Sequence, residues 1–158
     1  MSHGPHDGNS HGMTSSVRVV GGWSTTRDAE HGYREVGRAA AVGPAFVGTT
    51  FEPVHRVVVH LAEDVAELPD RTRVFVFPGH DGLVGTVTVG EVLRTTGIDL
   101  VRGLATTFPS VDDRLDTQEF VRPVVEGGRL VLVVRPGRDA GLVPFEQPNP
   151  TPCCADHA

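Results

Sequence analysis

The chain has 158 residues, room for one domain, and carries a formal net charge of −6. All fourteen basic residues are arginine. The lack of lysine excludes Schiff-base and pyridoxal chemistry and a P-loop lysine. The acidic balance speaks against a general nucleic-acid or anionic-membrane surface.

Hydrophobic residues make up 39% of the chain, enough for a globular core. Nineteen glycines and twelve prolines place many residues in turns, loops or tails. No run of eighteen apolar residues occurs, and the start lacks the apolar stretch of a secretory signal. The two cysteines, Cys153 and Cys154, are adjacent and cannot staple a fold. A cytoplasmic location is the default expectation.

Residues 1–16 read as a flexible His/Gly-rich tail, 17–136 as a single α+β domain and 137–158 as an extended Pro-rich tail. Within the domain, Val17 to Val20 suits a short strand. Asp28 to Val42 suits a helix, with Thr25 and Asp28 as a capping pair and Gly43-Pro44 as its stop. Val54 to Leu61 is a β-branched run and reads as a strand. Arg73 to Phe77 and Leu83 to Val89 read as a hairpin around Pro78-Gly79-His80-Asp81-Gly82. Alternation places Phe75, Phe77, Leu83, Val87 and Val89 on its core face. Thr88-Val-Gly-Glu91 is a capping box that opens a short helix through Thr95, ended by Gly97. Asp99 caps a second expected helix, carrying Leu100, Val101, Leu104 and Phe108, and Ser110 to Thr117 reads as a loop. Glu119 to Val125 and Arg129 to Arg135 form the clearest hairpin, because Gly127-Gly128 supplies the positive φ angles of a two-residue turn.

The architecture expected is a mostly antiparallel sheet of four to six strands with two or three short helices. Two resemblances bear on it. The stretch from Thr88 to Leu104 resembles the two-helix unit of bacterial helix-turn-helix regulators, with the 119–135 hairpin as a wing. That resemblance implies DNA binding. Residues 89–138 hold seven arginines and seven acids, however, and a DNA face should be positive. The order of strand hairpin, helix opening with Thr-Val-Gly-Glu-Val-Leu, Phe108-Pro109 and second hairpin, over residues 71–135, is similar to that of β-grasp sulfur-carrier proteins. The resemblance implies a β-grasp-like topology. Those carriers end in Gly-Gly, whereas this chain ends in Asp-His-Ala, so no functional residue is carried over.

Several constellations could carry chemistry. His3, His6 and His11 at one end, and Cys153, Cys154, Asp156 and His157 at the other, are donors suited to zinc, nickel or copper. Solvated tails with incidental histidines are the plainer reading, since the spacing lacks a C-x-x-C. His55 and His60 differ by an odd number, so a regular strand sends them to opposite faces. His80 and Asp81 share a turn and could pair as base and orienter. No serine lies in a G-x-S-x-G elbow, and Gly79, Gly82 and Gly85 sit between strands and not ahead of a helix, as a phosphate loop requires.

Val143, Pro144 and Phe145, followed by Pro148, Pro150 and Pro152, form a stiff segment that loses little entropy on docking. Three functions follow as expectations. The first is a non-enzymatic accessory protein acting in a complex with a protein partner through that segment. The second is a metal-binding or metal-delivery protein, and the third a small enzyme with histidine acid/base chemistry. No cofactor site is expected apart from a transition metal, and neither a membrane nor a nucleic-acid partner.

Overall fold

The structure is a computed structural model that describes residues 17–20, 23–37, 43–53 and 56–148. Among the described residues there are ten strands, two α-helices and two short 3-10 turns. The strands are β1 (Val17–Val20), β2 (Phe46–Glu52), β3 (Arg56–Ala62), β4 (Arg73–Val76), β5 (Thr86–Thr88), β6 (Leu100–Gly103), β7 (Arg114–Asp116), β8 (Val124–Glu126), β9 (Arg129–Pro136) and β10 (Leu142–Pro144). The helices are α1 (Thr26–Gly37) and α2 (Val89–Thr95). All ten strands join one sheet in the order β1-β3-β2-β4-β8-β9-β10-β7-β5, with β6 on the far edge of β9. Every pairing is antiparallel except β6 with β9 and β7 with β10. The fold is therefore broadly α+β and sheet-rich, and the sheet is larger than the four to six strands expected.

The sheet curls around its main apolar cluster. Phe46, Val74, Val101, Leu115, Val125, Leu132 and Leu142 come from seven different strands and pack in one group, with Val89 and Val92 of α2 filling it from within. A second, smaller cluster lies on the outer face. There Ala29 of α1 packs over Val47, Val57, Val59 and Phe75, with Trp23 and Tyr33 beside them. Tyr33 meets Phe75 edge to face, at 5.7 Å and 74°. Gly32 lets Trp23 lie against α1: a Cβ there would stand 2.9 Å from the indole Nε1. That close packing accounts for a glycine in a helix interior, where it otherwise costs about 1 kcal/mol.

Local chemistry explains the elements read correctly. Thr88 Oγ1 accepts from the Glu91 amide at 3.1 Å, and Glu91 Oε2 accepts from the Thr88 amide at 2.7 Å. The Thr88 amide, and after it the Thr88 hydroxyl, hold the Glu91 carboxyl below its ordinary range. Gly127 and Gly128 have φ of 57° and 73° and close the β8–β9 turn. The Asp28 amide donates to Thr25 Oγ1 at 3.1 Å, so Thr25 caps α1.

Four expectations are corrected. Residues 100–103 are not helical: Leu100–Gly103 is strand β6, parallel to β9, because Val101 enters the core beside Leu132 and β9 offers an open edge. The helix-turn-helix unit therefore does not form. Leu83 to Val89 does not pair with β4 either. A short 3-10 turn (His80–Gly82) leads away, and β5 pairs with β7 inside the segment read as a loop. Without that first hairpin the β-grasp order is not built. Phe75 and Phe77 do not share a core: Phe75 lies in the outer cluster and Phe77 in the inner one, since the register of β4 against β2 shifts between Val74 and Val76 and breaks the alternation. Finally, the sheet continues past Pro136, as β10 pairs with both β9 and β7. β2 was not foreseen. It holds Gly48 where a Cβ would overlap the Thr72 side chain and lie 2.7 Å from the Arg73 carbonyl, at a register shift against β4.

Candidate functional site

The outer face of the sheet is where polar groups gather. Thr49 of β2 pairs with Arg73 of β4, and Arg73 pairs with Val124 of β8. Directly paired residues point to the same side, so these three stand abreast. It is the side that α1 covers, because Val59, Thr49's partner on β3, belongs to the outer cluster. The Val57 amide donates to the Trp23 carbonyl at 3.1 Å, which pins the approach to α1 against β3. The first turn of α1 therefore stands over the row. Between them lies a cleft of ≈ 820 Å³, lined by Ser24, Thr26, Thr49, Phe51, Arg71 and Arg73 among others.

An ion-pair network borders this cleft. Arg122, just ahead of β8, grips Glu30 of α1 with two bonds, Nε to Oε1 at 2.9 Å and Nη2 to Oε2 at 2.7 Å. Both side chains are largely buried, 10% and 16% exposed. The guanidinium also lies 4.1 Å over the Phe120 ring. Arg73 pairs with Glu146 at 3.4 Å. Burial raises the Glu146 pKa above its ordinary value, against the opposing pull of Arg73 and Arg122, and Glu30 adds to the rise. Glu146 thereby ties the chain after β10 to the outer face.

The C-terminal residues singled out in the sequence are divided by this arrangement. Val143 and Pro144 are buried in β10. Phe145 is 54% exposed, yet its amide donates to the Val133 carbonyl at 2.9 Å, which fixes its backbone. Pro144 and its partner Val134 are buried, so Phe145 falls on the outer face with Val133. On the other edge of β9, Leu104 donates its amide to Val134 and is also partly exposed. Pro148 is described; Pro150 and Pro152 lie outside the described residues.

The metal donors His3, His6, His11, Cys153, Cys154, Asp156 and His157 all lie outside the described residues, as does His55. Among the described residues no group of three or more His, Cys, Asp or Glu is arranged to hold a metal ion. His60 is buried on β3, its Nε2 2.7 Å from Thr50 Oγ1. His80 Nδ1 lies 2.7 Å from the Phe77 carbonyl, and its Nε2 3.1 Å from Asp81, which is almost fully exposed. The two side chains face each other, but His80 Nδ1 is held by backbone and Asp81 lies open to solvent. Two further clefts exist. One of ≈ 520 Å³ between β7 and residues 137–143 is rimmed by Asp112, Asp113, Asp116 and Asp139 with Arg114 and Arg138. The other, ≈ 370 Å³, lies along the charged side of α1 at His31. Neither His60 nor His80 lines any of the three clefts.

No helix among the described residues is long and apolar enough to cross a membrane. No family model, curated protein or solved structure matches this chain. Thr49, Arg71, Arg73, Arg122 and Glu146 were not singled out in the sequence. Nothing in their spacing joins them, since the row depends on which strands become neighbours.

Proposed function

We propose that this chain is a non-enzymatic accessory protein of the cytoplasm, working in a complex with a protein partner through the segment that begins at Phe145. The observation that carries this reading is the rigid presentation of an apolar ring. Phe145 is more than half exposed while its main chain is bonded into the sheet. Its backbone order is present before a partner arrives, so docking orders few additional groups. Register places Leu100 and Leu104 on the same outer face, across β9, and both are partly exposed. A partner with its own apolar surface would bury aromatic and aliphatic area together, as interface centres do. Arg102, beside them, is paired with Glu126 at 2.7 Å and supplies a polar rim.

The test compares three tagged forms in their native cell: the full chain, Phe145→Asp, and a chain ending at Pro148. A companion protein held by the full chain and lost from Phe145→Asp supports the reading. Identical companions for all three forms overturn it. A metal-delivery role is the second reading. It rests on the adjacent thiols of Cys153 and Cys154 near His157. Metal analysis of protein purified without affinity resin tests it. Stoichiometric metal that disappears in the Cys153→Ser, Cys154→Ser variant supports that role, and metal-free protein ends it.

A further inference from the structure

The cleft at the start of α1 holds a polar group with nothing to satisfy it. Thr49 is 1% exposed and lines the cleft, and its Oγ1 has no hydrogen-bond partner among the described residues. The other buried threonines are served: Thr72 donates to the Pro69 carbonyl at 2.6 Å and Thr117 to the Gly85 carbonyl at 2.8 Å. A buried hydroxyl left unpaired costs stability, and each such group in a folded protein calls for an explanation. Valine would fill the same space without that cost.

Donors converge on the same cleft from two more directions. Within α1 the Ala29 amide reaches back to the Thr25 carbonyl, and the Asp28 amide is taken by Thr25 Oγ1. The amides of Thr26 and Arg27, ahead of these, have no acceptor within the helix, and the helix dipole makes that end positive. Thr26 itself lines the cleft. From the side comes Arg71, at the third position of a turn closed by the Thr72 amide on the Pro69 carbonyl at 3.2 Å. Its φ is +66°, a conformation that turns of this kind reserve for glycine or asparagine. An arginine is thus held there against local preference. Among the described residues its guanidinium has no ion-pair partner. Arg73 adds a second cation, shared with Glu146 at 3.4 Å. The acid on the lining, Asp70, has one oxygen engaged by the Gly127 amide at 2.9 Å.

We propose that this cleft binds the phosphoryl group of a small hydroxylated molecule, with Arg71 as its main charge partner and the Thr49 hydroxyl and the first amides of α1 as further donors. Three converging directions suit a tetrahedral anion with three free oxygens better than a planar carboxylate with two. At ≈ 820 Å³ the cleft exceeds one phosphate severalfold. The remaining wall offers the Ser24 hydroxyl, which suits a hydroxylated carrier. This site stands apart from docking at Phe145, and either can hold without the other.

The experiment titrates glycerol 3-phosphate, and separately inorganic phosphate, into the full-length protein at low ionic strength, followed by amide chemical shifts and calorimetry. Saturable shifts at Thr26, Thr49 and Arg71 are expected. Arg71→Gly weakens binding by about tenfold or more, and Thr49→Val by about threefold. The decisive pairing is affinity with stability. Arg71→Gly removes a cation but suits the positive φ, so its melting temperature is unchanged or higher while binding is lost. Arg71→Asn, which also tolerates that φ, must behave alike. Tighter binding of glycerol 3-phosphate than of inorganic phosphate supports the carrier. Equal binding keeps the phosphoryl site and overturns the carrier. No saturable response to either probe, or an unchanged affinity in Arg71→Gly, overturns the site.

Discussion

The inner and outer faces of the sheet are built on different terms. Inside, side chains from eight strands and α2 form one apolar cluster, and the buried Thr117 is hydrogen-bonded. Outside, beneath α1, a small apolar cluster shares its face with two ion pairs, an arginine at positive φ and an unpartnered hydroxyl. A folded chain meets local rules nearly everywhere and breaks them where something other than folding has selected the residue. Positive φ also occurs at Ala105, Gln118, Glu119 and Ala140, so it is the unpartnered Thr49 hydroxyl that marks the outer face as the one carrying the candidate site.

The comparison can be broken by mutation, and unfolding in urea reads each result. The largest loss belongs inside. Phe77→Ala empties a site that is 2% exposed and should cost about 4 kcal/mol. On the outer face, Arg122→Ala leaves Glu30 facing a poorly hydrated space. A loss of about 2 kcal/mol is expected, below the fully buried case because both partners keep some solvent. Replacing both together, as Arg122→Met with Glu30→Leu, should recover most of that loss. If the double variant is as weak as the single one, the pair is structural in the same sense as the core. Thr49→Val should act in the opposite direction and stabilise the ligand-free protein by about 1 kcal/mol, since it removes an unpaired buried hydroxyl. A loss of stability there would mean that Thr49 already has a partner.

The smallest effect concerns pH. Burial raises the Glu146 pKa above 4.5, so the folded state binds this proton more tightly than the unfolded chain does. The stability it contributes is fully present below about pH 4.5 and declines as pH rises through the raised value. Glu146→Gln should therefore flatten this part of the stability profile and match or exceed the natural chain at neutral pH. A profile that keeps its slope in the variant would assign the slope to another group.

Much of the local structure was legible in advance, and its residues explain why. Gly127-Gly128 takes the positive φ angles of a tight hairpin turn at no steric cost, and Thr88 with Glu91 satisfies the start of α2 within four residues. The second expected helix failed for an equally physical reason. Leu100, Val101, Leu104 and Phe108 have helical spacing, but only Val101 is buried, whereas Phe108 is 86% exposed. An open edge on β9 satisfies the backbone of residues 100–103 and seats Val101, which outweighs the local preference. Arg71 gave no notice of itself, since positive φ in an arginine follows from the turn that brings β4 back beside β2.

The order of residues by itself determined the features whose partners lie within a few positions: the α1 and α2 caps, the glycine turn and the apolar runs of β3, β4 and β9. Only the tertiary structure decided which strands became neighbours, and so which side chains face α1. Thr49, Arg71 and Arg73 come from separate segments and meet because strand pairing is a long-range choice. Backbone hydrogen bonds are alike for every register, and the burial of apolar side chains on both faces selects one of them.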